Sequence, residues 1–89
     1  MPKKSSNDKT QRVVVKGILG LGLDGTDGHT RITRTEEMIL LGGSAATHNR
    51  MQETAIRFAE GLEKRGKSLS ETSVREVIDL LYEAREKVR

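Results

Sequence analysis

The sequence predicts an α+β domain in the order β-β-α-α, a long β-hairpin packed against an antiparallel helical hairpin and completed by dimerisation. Three observations carry this reading: the β-branched and apolar run RVVVKGILGLGL at residues 12–23, the doubled Asp-Gly turn signal DGTDG at 24–28, and two amphipathic stretches separated by a short link around Gly66.

Residues 1–11 are polar, lack periodicity and hold the only proline, so a disordered basic arm is expected there, with a single domain over 12–89. In the first strand, residues 12–23, Val13, Val14 and Val15 supply β-branched side chains and Ile18, Leu19, Leu21 and Leu23 continue the apolar character. Glycines at 17, 20 and 22 would weaken such a strand, which points to close approach of another backbone or a helix. Two Asp-Gly pairs then mark the turn. The return strand is expected over 29–41, with a possible break near Glu36, and a three-stranded meander is the alternative.

Gly42 and Gly43 end the sheet, and Ser44 is a suitable N-cap for a helix over about 45–65. His48, Met51, Ala55, Phe58, Ala59 and Leu62 recur at helical spacing and form its apolar stripe, and Gly66 stops it. The second helix has competing start signals. Ser68 with Glu71 makes a capping box, while Ser70 as N-cap would pair Leu69 with Val74 as a hydrophobic staple. Val74, Val77, Ile78, Leu81 and Val88 are its expected buried stripe.

Composition bounds the function. Of 89 residues, 34% are hydrophobic and only Phe58 and Tyr82 are aromatic, which is a thin core for one chain. A second copy would enlarge that core and pair the exposed strand edges, hence the expectation of a homodimer. Cysteine is absent, which excludes disulfides and thiolate metal sites. No stretch has the length and apolarity of a membrane span or of a secretory leader, so a cytoplasmic protein with no membrane partner is expected. The net charge is +3, with seven Lys/Arg against three Asp in residues 1–34 and nine against ten Asp/Glu in residues 35–89. That asymmetry points to an anionic partner through the basic arm and first strands.

Four constellations compete for a functional role. GLGLDG at 20–25 fits G-x-G-x-x-G, but a dinucleotide site needs a helix to open directly after the loop. The residues after Gly25 read TDGHTRITR, another turn and a β-rich stretch, so no nucleotide and no other cofactor is expected. Asp24, Asp27 and His29, with His48 as a fourth ligand, could hold a divalent cation, though Asp and Gly are also what tight turns require. Gly42, Gly43 and Ser44 at the first helix's start could bind an anion on free amides. Lys16, Arg31 and Arg34 could present a basic β-ribbon to duplex nucleic acid.

RGKSLSETSVREVIDLLYEA resembles the second half of the ribbon-helix-helix DNA-binding unit. The long first helix and the additional N-terminal strand depart from that unit, and no family is assigned from it. No Ser-His-Asp or Cys-His spacing is present. The expectation is a small non-catalytic binding or regulatory module, with a duplex nucleic-acid binder as the alternative and a metal-dependent activity third.

Overall fold

The structure, a computed structural model, describes residues 13–88. The arm expected at residues 1–11 lies outside the described residues. The chain forms three strands and two α-helices: β1 (Ile18–Gly22), β2 (Ile32–Arg34), β3 (Met38–Gly42), α1 (Ala45–Lys64), a 3-10 turn (Leu69–Glu71) and α2 (Val74–Glu86). The α+β class stands. The two-stranded hairpin does not, and neither does the meander.

The sheet order is β1-β3-β2, with β3 parallel to β1 and antiparallel to β2. The doubled Asp-Gly signal therefore does not close a hairpin. Residues 23–31 form an open loop that carries the chain from one edge of the sheet to the other, because parallel neighbours need a long crossover. The hairpin turn lies at Glu36-Glu37, where the expected return strand breaks. There the Thr35 amide donates to the Met38 carbonyl at 2.8 Å, and the Met38 amide donates to Thr35 Oγ1 at 3.0 Å. Strand β1 begins at Ile18 rather than residue 12, and Val13 and Val14 are exposed.

One face of the sheet carries the helices. Met38 and Leu40 of β3 are buried with Ala55, Phe58 and Leu62 of α1 and with Val77, Leu80 and Ala84 of α2. Phe58 sits at the centre, with none of its surface in water. The α1 stripe matches the periodic reading, with His48, Ala55, Phe58 and Leu62 buried.

The α2 stripe is rotated from its expected position. Val77, Leu80 and Ala84 are inside, with Leu81 packed against them, while Val74 and Ile78 are exposed. The helix also starts later than the staple reading has it, which leaves Val74 in its first turn. Ser73, not Ser70, is the N-cap, and its side chain accepts from the Glu76 amide. The earlier Ser68–Glu71 signal is used too, but by the 3-10 turn, which drops Leu69 into the core. Glu76 also accepts from Lys67 Nζ at 3.0 and 3.1 Å, which ties the interhelical link to the first turn of α2.

Two of the three strand glycines have the close neighbours that their positions imply. A Cβ on Gly20 would lie 2.9 Å from Leu40 Cδ2, and one on Gly22 would lie 2.5 Å from Gly43 Cα. Gly17 meets nothing closer than the Glu37 carbonyl at 3.9 Å, so close packing does not explain it.

Candidate functional site: the junction of loop 23–31 with the start of α1

Gly42 and Gly43 adopt φ of +78° and +86°, a left-handed pair that swings the chain from β3 into α1. Only glycine takes this conformation without steric cost. The turn is pressed against Gly22, the last residue of β1, and three groups of side chains fasten it.

The first is Asp24. Its Oδ1 accepts from the Ser44 amide at 2.8 Å, and its Oδ2 accepts from Ser44 Oγ at 3.0 Å and from Thr47 Oγ1 at 2.7 Å. Ser44 is the N-cap as expected, its hydroxyl accepting from the Thr47 amide. The carboxylate of Asp24 thus stands where an external anion would stand, at the positive end of a twenty-residue helix. The GLGLDG loop does approach a helix N-terminus. It brings its own anion with it, and any ligand at Gly42, Gly43 and Ser44 would have to displace Asp24.

The hydrogen bond from Thr47, with those from the Ser44 amide and hydroxyl, pulls the Asp24 carboxyl down from 3.8 to about 2. Asp27, Glu71 and Glu76 are also lowered, chiefly by hydrogen bonds from Arg31, the Ser68 amide and Lys67 respectively. A folded state with depressed carboxyl pKa binds fewer protons than the unfolded chain. Its stabilisation is therefore fully present above the unfolded value and is lost as pH falls. For Asp24 that window runs from about 4 down to about 2. The urea midpoint is expected to fall across this window. Asp24→Asn should lower the midpoint at pH 7 and flatten its decline below pH 4, as followed by circular dichroism.

The second group is Arg31. Its guanidinium donates to Asp27 Oδ2 at 2.7 Å and Oδ1 at 3.2 Å, and to the Gly43 carbonyl at 3.0 Å. The His29 amide donates to the same Asp27. This stitches the far side of the loop to the same glycine turn.

The third is His48, which is buried in the first turns of α1. Its Nδ1 lies 2.8 Å from the Gly42 carbonyl and its Nε2 2.8 Å from Thr33 Oγ1, which also accepts from Gln52 Nε2 at 2.8 Å. A carbonyl can only accept, so Nδ1 carries a proton. With the Nδ1–H tautomer, Nε2 accepts from the Thr33 hydroxyl, so both ring nitrogens of His48 and the Thr33 hydroxyl have partners. Thr33 and Gln52 were not singled out by sequence reasoning. Gln52 lies one turn beyond His48, and the alternation Ile32-Thr33-Arg34 puts Thr33 on the helix side of β2.

The proposed metal ligands do not converge. Asp24 is committed to the helix end and Asp27 to Arg31, while His48 is closed within its own network. No group of three or more His, Asp or Glu that could hold a metal ion occurs among the described residues. The proposed nucleic-acid residues separate as well. Arg31 serves the glycine turn, whereas Lys16 and Arg34 line a shallow groove with Glu36 and Glu37 at the opposite end of the sheet. Among the described residues no helix is long and apolar enough to cross a membrane. No protein-family model, curated protein or solved structure matches the chain.

Proposed function

We propose that this chain is a small non-catalytic binding module, homodimeric and cytoplasmic, that acts through protein contact. One observation carries the reading. The sheet is covered by helices on one face only, and the other face presents Leu19, Leu21 and Ile32 to solvent. Contiguous apolar surface of this kind marks an interaction site. The polar clusters, by contrast, are spent on internal bonds at the glycine turn. Sedimentation of the full chain at about 100 µM, where even a micromolar dimer is populated, tests the homodimer. A dimer is expected, and a particle of 9.9 kDa contradicts it.

The basic excess of residues 1–34 and the exposed Arg34 favour a second reading, a duplex nucleic-acid binder. On that reading a gel shift at low salt retards the duplex, retardation fades steeply as salt rises, and Arg34→Ala weakens it. Duplex that runs free at low salt removes this reading.

A further inference from the structure

We infer that a second copy of this chain docks on the open face of the sheet, face to face, giving a four-layer dimer with the helices outside. The inference rests on the binding-module reading and specifies the surface and the geometry of its first partner.

Alternation along β3 sets the face. Met38 and Leu40 point into the core, so Ile39 and Leu41 point away from the helices. The register then places Leu19 and Arg34 on either side of Ile39, and Leu21 and Ile32 on either side of Leu41. Five apolar side chains thus lie in two adjacent rows, with Leu23 just beyond. Leu19, Leu21 and Ile32 are 58%, 59% and 58% exposed, and Leu23 is 93% exposed. A single exposed leucine needs no explanation, but a contiguous set does.

Several observations select a copy of this chain as the occupant. A standard interface takes about 800 Å² from each partner, and the exposed Leu19, Leu21, Leu23 and Ile32 around the half-buried Ile39 and Leu41 give this face the apolar centre such an interface needs. The residues outside the described region, MPKKSSNDKTQR at the start and Arg89 at the end, are almost wholly polar and cannot supply an apolar cover. The charges beside the rows are balanced. Lys16 and Arg34 share a groove with Glu36 and Glu37 next to Leu19 and Ile39. A two-fold axis can set the positive groups of one protomer against the negative groups of the other, whereas a partner of one sign would leave half of them opposed.

Pairing through the free edges of β1 or β2 would leave both apolar rows in water. Stacking sheet on sheet at about 10 Å removes them from it.

The test uses sedimentation of the full chain and of three variants, with circular dichroism to confirm folding. Leu21→Glu and Ile32→Glu place a carboxylate in the rows at positions already open to solvent in the monomer, and each is expected to shift the dimer to monomer, raising Kd by roughly 100-fold or more. Ile78→Glu, on the exposed side of α2, is expected to leave the dimer intact. If the parent is a dimer and both sheet variants remain dimeric, the assignment of this face is overturned while the dimer reading survives. A dimer broken by Ile78→Glu alone also overturns it, and a monomeric parent overturns both.

Discussion

Gly22→Ala is expected to be among the most damaging single substitutions in this chain. The added methyl would lie 2.5 Å from Gly43 Cα, 2.7 Å from Gly43 N and 3.0 Å from the Gly42 carbonyl carbon. All three are backbone atoms, so no side chain can rotate away. Relief requires β1 and the turn leading into α1 to separate, which strains the parallel register of Gly22 with Gly42 and pulls on the Asp24 cap two residues on. A clash of this type costs about 3 kcal/mol or more, against a total stability for a domain of this size of roughly 5–10 kcal/mol. The thermal midpoint should fall by roughly 10–20 °C. Gly17→Ala is the internal comparison. Its methyl would meet only the Glu37 carbonyl at 3.9 Å, so the midpoint should stay within a few degrees of the parent or rise as the unfolded chain loses freedom. Equal losses at the two positions would show that strand propensity, not backbone contact, governs these glycines.

The contrast between α1 and the sheet shows which parts of this fold are written locally. Helix α1 was legible to within a residue at its ends because every signal lies within a few positions of its effect. Ser44 caps it, the stripe from His48 to Leu62 repeats at helical spacing, and the chain turns at Gly66, whose φ is +64°. The break of the return strand at Glu36 was legible for the same reason. Strand order was not, since the pairing of Ile18 with Met38 has no local mark. One available cue was the uninterrupted run Met38-Ile39-Leu40-Leu41, which suits a central strand, beside β2 with its alternating Ile32-Thr33-Arg34. The doubled Asp-Gly signal points the other way, because such pairs usually close hairpins, whereas here they lie in an open loop.

The site residues were legible as residues and not as a site. Asp24, Arg31, Gly43, Ser44 and His48 were divided among metal, nucleic-acid and anion-binding roles by their chemical type. The fold gathers them around one glycine turn. The bond from the Ser44 amide to Asp24 spans twenty residues, a separation at which spacing carries no information about capping. Sequence gives the chemistry of each group, but topology decides whether that chemistry faces a ligand or the protein's own backbone.

His48→Ala tests that last distinction at the most buried polar position in α1. The imidazole holds the Gly42 carbonyl on one side and the Thr33 hydroxyl on the other, bridging the turn into α1 and the edge strand β2. Truncation leaves the carbonyl without this partner and opens a void the size of the ring, while Thr33 keeps its bond from Gln52. The two losses together should cost about 2–4 kcal/mol in urea unfolding. Thr33→Val removes a smaller share, about 1–2 kcal/mol, by depriving Nε2 of its donor and Gln52 of its acceptor. Because both residues act in one connected network, the double variant should cost less than the sum, with a coupling on the order of 1 kcal/mol. Strict additivity would mean that His48 and Thr33 act independently. A histidine at an open reactive site would behave differently again, since its truncation would spare stability. A wild-type urea midpoint for His48→Ala would therefore reopen a chemical role for the ring, whereas the expected loss assigns it to holding the strand-to-helix turn.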